Sequence, residues 1–355
     1  MPQSLNMADS ELQLLQQMLS IPSPSGQETR LARFLVDTMA SMGFRSYLDG
    51  VSNAIGIAGD GSRTIVLLGH IDTVAGDLPV KVEGGRVHGR GSVDAKGPMA
   101  CFIASTRRVM QALDGEGKRI VIVGAVEEEA ATSRGARQAL ADLDPPDFCV
   151  IGEPSGWNAV TLGYKGRLLV DYRLQVPLSH TAGQERSACE QAVDYWSEVG
   201  RWCDRFNEGK SLFASLQASL RSFNSSSDGI HETVDLRLGF RTPLDFSLQF
   251  LEDFLLGTAN PAQVSFSGRE AAVRRGKSNP LVRSFLRSIR DFEGRPKFKL
   301  KTGTADMNVV APFWKCPMVA YGPGDSSLDH TPQEHVEIAE YRRSIDVLES
   351  VLRLL

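Results

Sequence analysis

Short runs of apolar residues alternate with stretches of helical spacing through the first half of the chain. The runs at 65–68, 119–126 and 148–151 are apolar at successive positions, which is typical of strands buried on both faces. Between them, the segments 96–113 and 134–143 carry apolar residues at intervals of three and four, which predicts helices. Strands that alternate with helices predict an α/β fold, with a mainly parallel sheet and helices on both faces.

The pattern changes in the second half of the chain. The segment 167–176 alternates apolar and polar residues, as a half-exposed antiparallel strand does. The elements predicted after it complete the order β-α-β-β-α-β, which is the order of a ferredoxin-like unit. We therefore expect an inserted domain at 163–269. The first domain would comprise 1–162 and 270–355 and would end in an amphipathic helix over 334–355.

A local helix signal lies upstream of the first predicted strand. Ser25 is followed three residues later by Glu28, which is the spacing of a capping box. The pattern predicts Ser25 as the N-cap of a helix that ends at Gly43.

Composition narrows the class of protein. The 355 residues are enough for two domains of ordinary size, and the formal net charge of −4 argues against a general nucleic-acid-binding protein. The longest apolar runs are far shorter than a membrane span. The first ten residues lack the features of a signal peptide, and the five cysteines are scattered without a C-x-x-C pair. We therefore expect a cytoplasmic protein with free thiols.

The strongest chemical signal lies at 69–98. The predicted strand 65–68 runs into Gly69, His70, Ile71 and Asp72, and the glycine-rich stretch that follows delivers Asp94 to the start of a helix. A strand-end histidine, a carboxylate that orients it and a second carboxylate that can bridge two cations are the parts of a metal site.

The ends of the other predicted strands offer further ligands. Glu127, Glu128 and Glu129 follow one strand, Glu153 follows the next, and His330 lies in the loop after the last strand. An acidic run is usually a solvated face, but this one directly follows a buried strand. Because ligands gather at the carboxyl ends of parallel strands, we expect these side chains to meet.

These motifs resemble the zinc aminoacylase and carboxypeptidase family that includes acetylornithine deacetylase and succinyl-diaminopimelate desuccinylase. The family pattern is H-x-D after a strand and G-R-G-x-x-D-x-K-G before a helix, present here at 70–72 and 89–97. The resemblance covers the whole chain and implies a two-metal hydrolase with two zinc ions per chain, cobalt being the alternative. The implied roles are His70 and Glu153 on one ion, Glu129 and His330 on the other, Asp94 between them, and Asp72 orienting His70.

The resemblance leaves the general base open by one residue. The family usually shows an acidic pair, whereas this chain has three consecutive glutamates. Counting back along the strand favours Glu128 as the base and Glu129 as the ligand. A shift of one residue would make Glu127 the base and Glu128 the ligand.

The predicted inserted domain carries further candidates. The resemblance implies that this domain mediates dimerisation. It also implies that His180, in the stretch 179–183, reaches the active site of the partner subunit and helps to hold the oxyanion. Arg241 lies where relatives place a carboxylate-binding arginine, and Thr304 lies in a Gly/Thr loop that relatives use against the substrate.

Several details resemble one branch of the family more closely. These are V-E-E-E-A at 126–130, K-T-G-T-A-D-M-N at 301–308 and D-H-T-P-Q-E around His330. That branch releases lysine, in some organisms ornithine, from the C-terminal glutamate of a small acidic amino-group carrier protein in lysine or arginine biosynthesis. Between Arg269 and Lys301 there are eleven Lys/Arg and three Asp/Glu, which fits an acidic protein substrate.

Other functions remain open from the sequence. An acetylornithine or acetylcitrulline deacetylase, or a dipeptidase or aminopeptidase, would use the same metal chemistry on a small substrate. A catalytically inactive scaffold that dimerises is a further alternative. The intact set of candidate ligands argues against the scaffold.

Overall fold

A computed structural model describes residues 7–113, 115–180 and 183–355. Thr181 and Ala182, within the predicted His180 element, lie outside the described residues, as do the first six residues. The strands are β1 (Arg45–Leu48), β2 (Ala54–Ala58), β3 (Arg63–His70), β4 (Lys81–Glu83), β5 (Arg86–His88), β6 (Lys118–Ala125), β7 (Phe148–Gly152), β8 (Ala159–Tyr164), β9 (Gly166–Pro177), β10 (Gln217–Ser227), β11 (His231–Thr242), β12 (Gln263–Glu270), β13 (Val273–Arg274), β14 (Lys297–Lys301), β15 (Met318–Tyr321) and β16 (His335–Glu337). The helices are α1 (Met7–Leu19), α2 (Thr29–Ser41), α3 (Lys96–Leu113), α4 (Arg134–Asp142), α5 (Ala188–Asn207), α6 (Leu248–Ala259), α7 (Pro280–Asp291), α8 (Asp306–Val310) and α9 (Ile338–Leu354).

The chain forms two compact units. The first comprises Met1–Gly163, Arg275–Leu300 and Ala305–Leu355, and the second comprises Tyr164–Arg274 and Lys301–Thr304. The loop at 301–304, which the sequence placed with the first domain, therefore groups with the second unit.

The first unit is built on one large sheet. Its strands run in the order β1-β2-β6-β3-β7-β15-β8, and β14 also pairs with β8. The four central strands β6, β3, β7 and β15 are mutually parallel, whereas β2 and β8 join them antiparallel. The predicted α/β class with a mainly parallel sheet is confirmed.

Both faces of this sheet are covered. Ile65 and Leu67 of β3 lie in a core cluster that includes side chains of α1, α2, α3, α7 and α9. The alternate residues Val66 and Leu68 lie outside that cluster and are equally buried. A strand buried on both sides explains the continuous apolar run that the sequence shows.

Two local predictions are wrong. The C-terminal helix begins at Ile338 rather than at Glu334, because His335–Glu337 form a strand that pairs antiparallel with β5. Ser25 is not the N-cap of α2: the N-cap is Glu28, and the Ser25 hydroxyl donates a hydrogen bond to Asp72 instead.

The second unit has the β-α-β-β-α-β order that the sequence predicts. Its antiparallel sheet runs β12-β9-β11-β10. Alternate residues of β9, such as Leu168 and Val170, form a core with α5 and α6. Asp171 and Arg173, which follow them on the strand, are exposed. A sheet with one covered face accounts for the alternating pattern of this strand.

None of the helices that the structure describes is long and apolar enough to cross a bilayer.

Candidate metal centre

Four parallel strands of the first unit end at the same edge of its sheet. His70 is the last residue of β3, and Glu153 directly follows β7. The three glutamates 127–129 come shortly after β6, and the loop after β15 carries His330. The register of β3 against β6 and β7 therefore brings side chains together that are far apart in the sequence.

One group of candidate ligands is largely buried. His70 Nε2 lies 3.1 Å from Asp94 Oδ1 and 4.0 Å from Glu153 Oε1. The ligand atoms of His70, Asp94 and Glu153 all lie within 4.8 Å of one another. Two carboxylates and one imidazole nitrogen are a donor set that suits a divalent ion such as zinc.

A second group shares one of these residues. His330 Nε2 lies 3.0 Å from Asp94 Oδ2 and 2.7 Å from Glu129 Oε1. Asp94 thus directs one oxygen to each histidine, as a carboxylate between two cations would. The residues present fit a pair of divalent ions with Asp94 between them.

Crowding of these groups shifts their pKa values. Burial opposes ionisation of Asp94, but hydrogen bonds from His330 and His70 hold its pKa well below the ordinary value. Hydrogen bonds to Asp94 and Glu129 raise the pKa of His330 to about 10. Burial disfavours a charge on His70, yet its contacts with Asp72 and Asp94 raise the pKa of the ring well above the ordinary value. The shifts arise from the direct contacts of the two imidazoles with these carboxylates.

Asp72 is fully buried and contacts both groups. The backbone carbonyl of Asp72 lies 3.0 Å from His70 Nδ1, and its carboxylate Oδ1 lies 3.4 Å away. The same carboxylate accepts hydrogen bonds from the backbone N–H of Glu128 and Glu129, each at 3.0 Å, and from the Ser25 hydroxyl at 2.6 Å. Asp72 therefore fixes the His70 ring and the glutamate loop together.

The three glutamates have different environments. Glu129 contacts His330, whereas the Glu127 carboxylate accepts hydrogen bonds from Thr132 and Arg134. Glu128 is buried and belongs to neither group of ligands. Burial, with Glu153 and Glu129 nearby, raises the pKa of Glu128 well above its ordinary value despite the opposing charge of His70.

A tight turn positions Asp94. Gly91 has a φ of 87°, which a residue with a side chain rarely adopts. The carboxylate of Glu334 accepts hydrogen bonds from backbone N–H groups of this turn. Sequence reasoning missed both Ser25 and Glu334. The Ser25 signal was present but indicated a cap, and a single glutamate in a polar loop carries no local signal.

The remaining candidates lie in the second unit. His180 is exposed beyond the end of β9. Arg241 lies near the end of β11, and its Nη1 donates a 2.7 Å hydrogen bond to Thr304 Oγ1. Arg241 also lines a groove of about 520 Å³ with Arg167 and Arg221, and none of the described residues that line the groove is acidic. The structure thus brings Arg241 and Thr304 together, in a setting suited to a carboxylate.

Curated relatives match almost the whole chain. A LysW-lysine hydrolase from Deinococcus radiodurans is 45% identical, with 97% of both chains covered. A protein of Pyrococcus abyssi that provisionally bears the name LysW-lysine/LysW-ornithine hydrolase is 37% identical, covering 97% of this chain and 94% of its own.

Solved structures share the fold. A metallo-carboxypeptidase of the M20 family from Sulfolobus solfataricus superposes with a TM-score of 0.79 at 18% identity, covering 98% of this chain and 99% of its own. A dinuclear metal-binding peptidase of the same family from Bacillus subtilis gives a TM-score of 0.72 at 12% identity, with 98% of both chains covered.

The family itself follows from the match of a family model. The model of peptidase family M20/M25/M40 matches residues 66–354, a range that contains both groups of candidate ligands. The resemblance read from the H-x-D and G-R-G-x-x-D-x-K-G motifs is confirmed, and the chain belongs to peptidase family M20/M25/M40.

Proposed function

We propose that this protein is a metal-dependent amide hydrolase that releases lysine from the C-terminal glutamate of the amino-group carrier protein LysW. The observation that carries the proposal is the 45% identity, over 97% of both chains, to a LysW-lysine hydrolase. The archaeal relative named for both lysine and ornithine adds ornithine as a second amino acid that could be released.

Five side chains would hold two zinc ions, with cobalt as the alternative metal. His70 and Glu153 would bind one ion, Glu129 and His330 the other, and Asp94 would bind both. Convergence of the donor atoms within 4.8 Å in each group supports this assignment. A bound pair of divalent ions supplies Lewis-acid polarisation of an amide carbonyl and makes water a stronger acid.

Glu128 is the proposed general base. Its carboxylate accepts a proton from the attacking water, and the resulting carboxylic acid donates that proton to the nitrogen of the departing amine, so the carboxylate is regenerated in each cycle. Its support is positional: Glu129 contacts His330 and Glu127 is bonded to Thr132 and Arg134, which leaves Glu128 buried beside the ligands. Asp72 would hold the loop through its bonds to the backbone N–H of Glu128 and Glu129.

A basic surface would bind the acidic carrier. On α7, the side chains of Arg283, Arg287 and Arg290 are exposed, while Leu281 and Phe285 face the core. Such a surface attracts an acidic protein at long range, and at physiological salt the attraction is screened over about 8 Å.

The test compares two substrates and two charge variants. Reversing Arg283, Arg287 and Arg290 together should raise the KM for LysW-linked lysine and leave hydrolysis of a small acyl-lysine nearly unchanged. Added salt should have the same selective effect. The matched control reverses the charges of three exposed arginines elsewhere, Arg30, Arg33 and Arg107. It should leave the hydrolysis of both substrates unchanged.

Efficient hydrolysis of acetylornithine is the result that would contradict the proposal. If the wild-type enzyme hydrolyses free acetylornithine more efficiently than LysW-linked lysine, the proposal fails and a small-substrate deacetylase takes its place.

We further propose that the second unit forms a homodimer and that His180 completes the active site of the partner subunit. Mixing His180→Ala and Glu128→Gln subunits should then restore activity that neither variant has alone. Verified heterodimers without recovered activity would contradict the proposal.

A further inference from the structure

One buried carboxylate beside the metal centre belongs to neither group of ligands. The Glu334 side chain is 1% exposed. Its Oε1 accepts hydrogen bonds from the backbone N–H of Gly91 at 2.9 Å, Val93 at 3.0 Å and Asp94 at 3.2 Å. Its Oε2 accepts a 2.7 Å hydrogen bond from Arg90 Nη1. Four donors on one carboxylate hold the turn around a fixed negative charge.

The same side chain is connected to the second histidine. Arg90 Nη1 also donates to the carbonyl of Thr331, the residue after His330, at 3.4 Å. Strand β16 begins directly after Glu334 and pairs with β5, which leads into the Asp94 turn. The two segments are therefore joined by strand pairing and by the Glu334–Arg90 ion pair.

We infer that Glu334 is a positioning residue that sets Asp94 and His330 for the metal ions, an inference that rests on the proposed two-metal function. Asp94 Oδ2 and His330 Nε2 lie 3.0 Å apart, and they belong to segments that Glu334 and Arg90 connect. Loss of the carboxylate would let these segments move independently. Binding of the ion that Glu129, Asp94 and His330 would hold, here called the second ion, depends on both segments. Binding of the ion that His70, Asp94 and Glu153 would hold, the first ion, depends only on the segment that carries Asp94.

Replacement by glutamine is a sharp test because it changes little in shape. An amide offers one oxygen and two N–H donors. If the oxygen faces the three backbone N–H groups, the amide nitrogen faces Arg90, donor against donor. The reverse orientation places the nitrogen against the backbone donors. Neither orientation can replace the carboxylate.

The measurement is binding of metal alone to the full-length apoprotein. Zinc affinity is measured by competition with a chromophoric chelator, and cobalt coordination by its visible absorption spectrum. Glu334→Gln should lower the affinity for the second ion by about 10- to 100-fold and change the cobalt spectrum. The affinity for the first ion should fall less. Glu334→Asp, which keeps the charge but is one methylene shorter, should recover part of the loss.

The matched control is Glu337→Gln. This residue lies three positions further along, and its exposed carboxylate pairs with Arg86. The control loses the same charge and should bind both ions as the wild type does. A folded apo Glu334→Gln, checked by circular dichroism, that binds both ions with unchanged affinity and spectrum overturns the inference.

A second variant keeps the test decisive if Glu334→Gln does not fold. Arg90→Met keeps a long side chain but removes the donors to Glu334 and to the Thr331 carbonyl. It should weaken the second ion by about tenfold, and unchanged affinity overturns the inference. The proposed function fails separately, if the wild-type protein itself does not bind two ions.

Discussion

The two groups of candidate ligands are held in different ways. His70 and Glu153 lie at the ends of central strands, and the His70 side chain is 1% exposed. His330 lies in a loop, its backbone φ is 62°, and its side chain is 46% exposed. The sheet register fixes two members of the first group, whereas all three members of the second group lie on turns or loops. We therefore expect the first ion to bind more tightly than the second.

The largest effect on metal binding and activity is expected from replacement of Asp94. Asp94→Ala removes the only residue common to both groups, so both ions should bind weakly and turnover should fall below detection. Metal analysis after dialysis and an activity assay measure this. Asp77→Ala, on an exposed loop nearby, is the control. Full activity of Asp94→Ala would mean that the two groups do not share a ligand.

Variants of the three consecutive glutamates distinguish loss of the general base from loss of a metal ligand. Glu128→Gln should lower kcat by about 10²- to 10⁴-fold while both ions remain, because a proton acceptor is lost and no ligand is. Glu129→Gln should instead weaken the second ion. Glu127→Gln should resemble the wild type, since its carboxylate bonds to Thr132 and Arg134. An inactive Glu127→Gln with intact metal would shift the general base by one residue.

The histidines test the difference in affinity directly. His330→Ala should retain one ion in the buried group, and His70→Ala should retain one in the exposed group. The ion left in His330→Ala should be the tighter of the two, measured by calorimetric zinc titration. Equal affinities would show that burial and strand placement do not distinguish the two groups.

The smallest effect is expected at Ser25. Ser25→Ala removes one of three hydrogen bonds to the Asp72 carboxylate, so activity should fall by about tenfold, and Ser25→Thr should restore most of it. The control is Ser20→Ala, whose exposed hydroxyl donates a hydrogen bond to the carbonyl of Gln17 in α1. A Ser25→Ala enzyme of full activity would show that the two backbone N–H groups suffice.

The sequence allowed the central part of the fold to be predicted because β3, β6 and β7 are buried on both faces and therefore continuously apolar. The candidate ligands could be predicted because they follow directly after these strands in the sequence. The edge strand β1 and its neighbour β2 were missed, since β1 begins with two polar residues and Gly56 interrupts the short apolar run of β2. Val336 of β16 fits a helical face equally well, so that strand was merged with α9.

Long-range bonds account for what was missed at the site. The spacing of Ser25 and Glu28 fits a helix cap, but the Ser25 hydroxyl bonds to Asp72, 47 positions away. Glu334 bonds to a turn more than 240 positions before it. A local pattern carries no information about such partners, because tertiary contacts bring them together. These contacts are the bridge between Pro24 and Thr73 for Ser25, and the pairing of β5 with β16 for Glu334.

The position of β15 in the sheet has a consequence for synthesis on the ribosome. This strand lies beside β7 in the centre of the sheet, yet it is among the last parts of the chain to be made. At roughly 5–20 residues per second, the outer edge of β7 waits roughly 10 to 30 s for its partner. The second unit, which is nearly continuous in sequence, emerges during that interval and has its own core. The nascent chain therefore exposes an unpaired central strand edge, so a slow ribosome or a truncated message would favour aggregation through β7.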